Sequence, residues 1–509
     1  MLYLSDNQTI DLTEFPRFPE SHLTNIMSQL AAIKLIKTLS SSEKRYFKLH
    51  SKKQVGNRDY LRLFDIIDKM KTVDTNSLKE KFKRLHPDTS LDNTARYLLK
   101  LVTDSLIRSK MEKDVFFQSL QGIMRVRILE ERSMAAESYK ELKKVREVCS
   151  RFQQHYIEYL TYRYELDHFS ASNFFELSDE TLIKTQMQAK NVIKSINHIQ
   201  DHYSLFELLK YRLIHTGKVS SDEEKKRLND LMLSEMVLVA GKAKNSFASQ
   251  KLHLLFQSFF FTDIGDYQSA LKTFQQLNRI FEDNQELLDH PPLDYLSSLN
   301  GILDSLHMLN NYEEISFYVE KVKLLDQPVY PEYFRYQARK AVATYDLVIL
   351  LGKKKFTEAI EYIQSFESNL LKAYNMVDEE RQWELYFYCS LAYFCIGDLK
   401  KAHKYISEVM RDQKLHPQLM ISKAIRLLNI IIHYEKGDTE YLEYEIRSYK
   451  RVFSKHGKLL RSEILILKII DLFPDRFFFR PAVDYFCCLI PIAYFTSDIC
   501  GNNSLANGV

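Results

Sequence analysis

The closest approach to a metal-binding pattern in this sequence is the segment HIQDH, which places His198 and His202 four residues apart. On a helix, that spacing puts both imidazoles on one face, as a helical zinc motif requires. The glutamate that would complete such a motif is absent, and the sequence offers no obvious third ligand. We therefore predict no metal site and assign the two histidines a structural or solvent-exposed role.

Other chemical signatures are missing as well. The sequence contains neither of the common glycine-rich phosphate loops nor a G-x-S-x-G nucleophile elbow. Its six cysteines include no C-x-x-C pair, and Cys487 and Cys488 lie in an apolar tail. We expect mostly buried, reduced thiols, no catalytic residues and no cofactor. An enzyme of an unrecognised type is the third and weakest alternative.

Length and composition favour an extended all-α protein. A chain of 509 residues exceeds the roughly 250–300 residues at which one hydrophobic core stops growing. Only 12 glycines are present, about a third of the number expected from an average usage of ~7%. Sheet-rich folds need glycine in tight turns. The 31 tyrosines and 32 phenylalanines suit a helical array with aromatic side chains between its helices.

Charge is unevenly distributed along the chain. The formal net charge is +4, but residues 33–113 hold 20 Lys or Arg against 10 Asp or Glu, which is +10 for that segment and −6 for the remainder. A solvated helical surface is one interpretation of this excess, and contact with a polyanion is the other.

The N-terminal half is predicted to be helical throughout. After a leader over 1–26, expected to be extended or disordered, Ser40 and Glu43 form a capping-box pattern at a helix start. We interpret 27–113 as a basic helical bundle and 114–247 as helical hairpins, which we expect to be degenerate repeats continuous with the array that follows. A second capping-box pattern, at Ser221 and Glu224, falls in this region.

A repeat becomes legible from about residue 248. The segments IGDYQSALKTFQQL and IGDLKKAHKYISEV share a Gly-Asp pair followed by an apolar residue. Aligning that apolar position along the chain gives steps of 45, 44, 43 and 40 residues through Tyr267, Tyr312, Phe356, Leu399 and Thr439. Two helical runs per period indicate stacked helical hairpins over 248–475.

The repeated residues suit a turn between two helices. Gly265 and Gly397 can take the positive φ that ends the first helix. Asp266 and Asp398 then cap the second helix. Prolines at Pro291 and Pro292, Pro328 and Pro331, and Pro417 fall between units, where they would break helices.

These motifs resemble the tetratricopeptide repeat (TPR) family, most clearly in FFFTDIGDYQSALKTFQQL and LAYFCIGDLKKAHKYISEV. The resemblance covers about 250–455, although the period exceeds the ~34 residues usual for that family. It implies a right-handed α-solenoid that binds peptides or proteins along a concave face lined by the first helix of each hairpin. On this sequence, the residues that the resemblance places on that face are Phe259, Thr262, Asp263, Glu384, Phe387 and Phe394.

The leading functional hypothesis is thus a cytoplasmic, non-enzymatic scaffold for a protein or peptide partner. The alternative is a regulator that binds nucleic acid through the basic bundle, with Arg96, Lys100 and Arg108 facing phosphates or base edges. That arrangement resembles peptide-sensing regulators that join a helix-turn-helix to helical repeats. The hydrophobic tail over 476–509 is too short in its uncharged run to span a membrane. We expect it to cap the last repeat; the alternatives are a partner-docking segment and a stretch outside the evolved fold.

Overall fold

The computed structural model describes residues 20–51, 59–70, 75–175, 177–216, 222–240, 246–371, 379–411, 420–455 and 461–472. Every regular element in these ranges is a helix, so the all-α prediction is confirmed. The α-helices, numbered in chain order, are α1 Glu20–Thr38, α2 Ser41–Ser51, α3 Asp59–Lys69, α4 Thr75–Leu85, α5 Leu91–Lys113, α6 Val115–Glu131, α7 Ala135–Arg151, α8 His155–Ala171, α9 Asp179–Thr216, α10 Asp222–Ala240, α11 Phe247–Asp263, α12 Tyr267–Asp283, α13 Leu293–Met308, α14 Tyr312–Lys323, α15 Glu332–Gly352, α16 Phe356–Phe366, α17 Glu379–Cys395, α18 Leu399–Met410, α19 Met420–Lys436, α20 Thr439–Lys455 and α21 Arg461–Leu472. A 3-10 turn follows α12 and a short π-helical segment follows α16.

Contacts divide the chain into two compact units after Lys110, within α5. The first unit has one core, to which all of helices α1 to α5 contribute buried apolar side chains. Its capping box is confirmed: the Ser40 amide donates to the Glu43 carboxylate at 2.7 Å, and the Glu43 amide donates to the Ser40 hydroxyl at 3.2 Å. Helix α1 begins at Glu20, so part of the predicted extended leader is helical.

In the second unit, each helix packs mainly on its neighbours in sequence. The helices pair in order from α6 on α7 to α19 on α20, and first helices of successive hairpins also meet, as α15 does with α13 and α17. This order of contacts is compatible with a helical repeat array. A large continuous core runs through it from α11 to α21.

The aligned repeat positions are the first residues of helices. Tyr267, Tyr312, Phe356, Leu399 and Thr439 begin α12, α14, α16, α18 and α20. Gly265 and Gly397 have φ of 80° and 82°. The side chains of Asp266 and Asp398 accept hydrogen bonds from Ser269 N and Lys401 N. The predicted turn chemistry is therefore confirmed.

The same turn recurs where the sequence carries no glycine. Asn310 and Lys354 occupy the position of Gly265 with φ of 56° each, and Ser133 and Gln153 occupy it before α7 and α8 with φ of 58° and 52°. In each case the next residue donates its amide to a carbonyl five residues earlier, as Met134 does to Leu129 at 2.9 Å. One turn geometry therefore recurs before α7, α8, α12, α14, α16, α18 and α20.

The predictions for the prolines and the cysteines are confirmed only in part. The proline pairs near 291 and 328 lie between helices as predicted. Cys149 and Cys389 are buried free thiols, whereas Cys395 is disulfide-bonded, an exception to the expectation of mostly reduced thiols. Ser221, Pro417 and the tail over 476–509 also lie outside the described residues. Among the described helices, none has the length and apolar character needed to cross a bilayer.

Candidate partner-binding surface

The first three predicted groove residues lie together near the end of α11. Phe259 is partly exposed and packs between Phe206 of α9 and Phe274 of α12, with ring centroids 5.7 and 6.4 Å away. Thr262 is partly exposed, and its hydroxyl donates to the carbonyl of Ser258 at 2.8 Å. Asp263 is buried. Of these three predicted residues at the end of α11, only Phe259 and Thr262 therefore have side-chain surface accessible to a partner.

The other three predicted residues lie on α17, where the structure places them differently. Phe387 and Phe394 are 1% and 2% exposed and belong to the continuous core. Only Glu384 is partly exposed. Aromatic residues at helical spacing commonly fill cores in this way. A partner could reach either phenylalanine only if neighbouring helices moved apart, so their role as partner contacts has no support from this packing.

A polar cluster that was not predicted connects α11 to the next hairpins. The hydroxyl of Tyr345 donates to the carboxylate of Asp304. Burial, reinforced by the negative charges of Asp304 and Asp263, raises the pKa of Tyr267. Burial also lowers the pKa of His307 to about 4, against the opposing effect of Asp304. Asp263 therefore belongs to an acidic, tyrosine-rich cluster whose members come from separate hairpins.

The two histidines of the HIQDH segment belong to a buried network between α9, α10 and α11. Glu235 of α10 is 1% exposed, and its Oε1 lies 2.5 Å from Nδ1 of His253 and 3.6 Å from Nδ1 of His202. His198 contacts the Ser249 hydroxyl at 3.1 Å. In the described part of the chain, no group of three or more His, Cys, Asp or Glu side chains has the geometry to hold a metal ion.

The pKa directions in this network follow from its contacts. Burial alone would raise the pKa of Glu235, but its contacts with the imidazoles of His202 and His253 outweigh burial, so the pKa is lowered. Burial and the neighbouring His202 lower the pKa of His198. The carboxylate is therefore kept ionised inside the unit, and its second oxygen, Oε2, has no hydrogen-bond partner among the described residues.

Helix α10 has an unusual distribution of side chains. Its inward residues include Leu228, Leu231 and the charged Glu235, whereas its outer surface carries the α10 stripe, defined as Leu233, Met236 and Val237. These three side chains are 61%, 58% and 73% exposed. The outer face of a surface helix is normally polar, and adjoining exposed apolar side chains commonly mark an interaction site.

The register of α10 explains why the stripe faces outward. Glu235 is held inward by imidazoles from α9 and α11. At about 100° per residue, positions 233 and 237 point roughly opposite to position 235. The buried carboxylate therefore fixes which face of α10 is presented. Spacing alone gave no signal for this, because Glu235 lies 33 residues after His202 in the sequence.

The candidate nucleic-acid residues lie on α5. Arg96, Lys100 and Arg108 are all exposed, whereas Leu98 and Val102 are buried. At about 100° per residue, Arg96 and Lys100 point roughly opposite to Leu98, and Arg108 lies about 80° from it.

Comparisons with known proteins return nothing for this chain: no family model, no curated protein and no solved structure matches it. The resemblance to tetratricopeptide repeats is therefore carried by the repeat spacing and the turn chemistry of the chain itself.

Proposed function

We propose that this protein is a cytoplasmic, non-enzymatic scaffold that binds a protein or peptide partner. Its second unit would be a right-handed, TPR-like solenoid in which stacked hairpins hold the binding surface rigid. Support comes from the ordered helix contacts and from one turn geometry repeated from Ser133 to Gly437. Arrays of this kind present long surfaces at low entropic cost because their helices are already ordered.

The observation that carries this proposal is the α10 stripe. Fully burying an apolar side chain of this size is worth about 1.5–3 kcal/mol, so a partner that covers Leu233, Met236 and Val237 would gain a substantial anchor. Partly exposed Phe259 packs against the same small cluster that holds the inner side of α10. Phe259 therefore lies near the inner side of α10, while the stripe on the outer side supplies the candidate binding surface.

A position-specific crosslink in cells that contain the native partner tests the proposal. A photo-reactive amino acid would replace Met236 in the stripe, with a matched control at Tyr444 of α20, which is 66% exposed. We expect one adduct of defined mass at position 236 and none at 444, and we expect Met236→Lys with Val237→Lys to abolish co-purification of the same protein. Absence of an adduct, or equal adducts at both positions, would reject the α10 stripe as the binding surface.

A further inference from the structure

We infer that the first unit binds duplex DNA, with α4 contacting phosphates and the N-terminal half of α5 facing the major groove. This is a second activity, located on residues separate from the α10 stripe. It rests on the exposed cations of α4, which make no ion pair within the described residues, and on the exposed polar side chains at the start of α5.

Cations and carboxylates on α2 and α3 largely neutralise one another. Lys44 pairs with Asp68 at 2.8 Å, and Lys48 pairs with Asp65 at 2.8 Å. Lys37 donates to the carbonyl of Asp68 at 3.1 Å. This side of the bundle therefore has little positive charge to offer a polyanion.

The cations of helix α4 have few carboxylates near them in the sequence. The helix carries Lys79, Lys81, Lys83 and Arg84 against the single carboxylate of Glu80. All four cations are exposed, and none makes an ion pair within the described residues. Leu78 and Phe82 bury the opposite face in the core. Lys79 and Lys83 are one turn apart, so α4 presents a row of unpaired positive charge suited to a phosphate backbone.

The beginning of α5 is held in place from two sides. Gln29 of α1 donates to the carboxylate of Asp92, and Thr89 donates to Asp59 of α3 at 3.2 Å. Asp59 also pairs with His86 at 2.9 Å, which fixes the five-residue connection, 86–90, between α4 and α5. The hydroxyl of Ser90 accepts a weak hydrogen bond from Asn93 N at 3.4 Å. Such anchoring reduces the ordering cost of binding.

The outward face of this anchored segment has the side chains that read base edges. Asn93, Arg96, Tyr97 and Lys100 are exposed there, while Ala95 and Leu98 are fully buried. Arg and Lys recognise guanine and Asn recognises adenine in the major groove, which is wide enough to admit a helix. The deep, narrow major groove of an RNA duplex does not admit one. The surface therefore fits duplex DNA.

Fluorescence anisotropy of the full chain with a labelled mixed-sequence DNA duplex tests this inference. We expect binding at about 50 mM salt that weakens steeply as salt rises, with a slope near −0.9 per phosphate contact in a plot of log affinity against log salt. The variants K79E/K83E and R96E/K100E should each lose about tenfold or more in affinity, and K79E/K83E, which removes two phosphate contacts, should also reduce the magnitude of the slope by about two. The exposed pair K184E/K190E on α9 provides a control with the same charge change, expected to bind like wild type.

Three results would overturn the inference: no binding at about 50 mM salt, wild-type binding by both test variants, or an equal loss in the α9 control. Equal or tighter binding to an RNA duplex or to anionic phospholipid vesicles would also overturn it, since neither needs a helix in the major groove. The milder variant R96Q/K100Q, checked by circular dichroism, separates lost contacts from lost folding. None of these measurements depends on the α10 stripe, so this inference and the proposed scaffold function fail independently.

Discussion

Oε1 of Glu235 lies 2.5 Å from Nδ1 of His253, which places a charged carboxylate of α10 against an imidazole of α11 inside the second unit. His202 of α9 approaches the same oxygen at 3.6 Å. One buried side chain thus connects three helices and orients the face of α10 that carries Leu233, Met236 and Val237. Loss of this contact should therefore disturb both stability and the presented surface.

Glu235→Gln keeps the shape of the side chain and removes its charge. We expect the free energy of unfolding of the second unit to fall by about 1–3 kcal/mol, because His253 loses a charged hydrogen-bond partner and His202 a nearby carboxylate in a buried site. Amides of α10 should lose protection from hydrogen exchange. The exposed Glu207→Gln on α9 is the matched control and should leave both quantities within about 0.5 kcal/mol of wild type. A wild-type free energy of unfolding for E235Q would show that the network is not structural.

His307 should make stability dependent on pH. Its folded pKa is lowered to about 4 from an ordinary value of 6.5 because it is buried, so the unfolded chain takes up the proton first as pH falls. The stability that neutral His307 contributes to the folded state is fully present above pH ~6.5 and is lost as pH drops toward ~4. Between pH 7 and pH 5 we expect a loss of about 2 kcal/mol. Urea unfolding of wild type and His307→Gln at the two pH values should show a smaller loss in the variant, and equal losses would contradict this role.

The repeated turn predicts opposite effects for two substitutions at equivalent positions. Lys354 has φ of 56°, and a glycine there should raise the free energy of unfolding by about 0.5–1 kcal/mol, because it relieves backbone strain. Gly397 has φ of 82° and nothing within 4 Å of an added Cβ. Gly397→Ala should therefore destabilise by about 1–2 kcal/mol through its backbone alone. Thermal melting of the two variants checks the signs, and effects of the same sign would argue against a shared turn geometry.

Much of the fold could be predicted because its signals are local. Ser40 and Glu43 are three residues apart, and the Gly-Asp pairs at Gly265 and Gly397 put the turn residue and the cap next to each other. Interactions over so few residues are visible in one sequence. These turn signals predicted the first residue of the second helix in each hairpin, from Tyr267 of α12 to Thr439 of α20.

The rest could not be predicted because it depends on packing between helices. Every residue of α17 from Leu385 to Phe394 is buried. The sequence of this segment therefore has no polar face that would show which side could form a groove. Phe387 was predicted on the concave face but lies in the core. Ser133 and Gln153 adopt left-handed backbone conformations without the glycine that would reveal them. The pairing of Glu235 with His253 joins neighbouring helices and leaves no pattern in the sequence.

Nearest-neighbour stacking of hairpins is the central structural claim, and a close contact between α12 and α13 offers its most direct test. Gly301 of α13 faces Phe274 of α12 so closely that an added Cβ would lie 2.4 Å from the ring. Gly301→Ala should destabilise the array locally by about 1–3 kcal/mol. Exposed Ser297→Ala on the same helix serves as the control.

Hydrogen exchange measured helix by helix on G301A is the deciding measurement. Stacked hairpins predict faster exchange in α12 and α13, a smaller increase in α11 and α14, and unchanged exchange in α6 to α8, because each hairpin is stabilised chiefly by the ones beside it. A uniform increase along the whole second unit, or an increase centred on helices distant in sequence, would contradict the stacked arrangement.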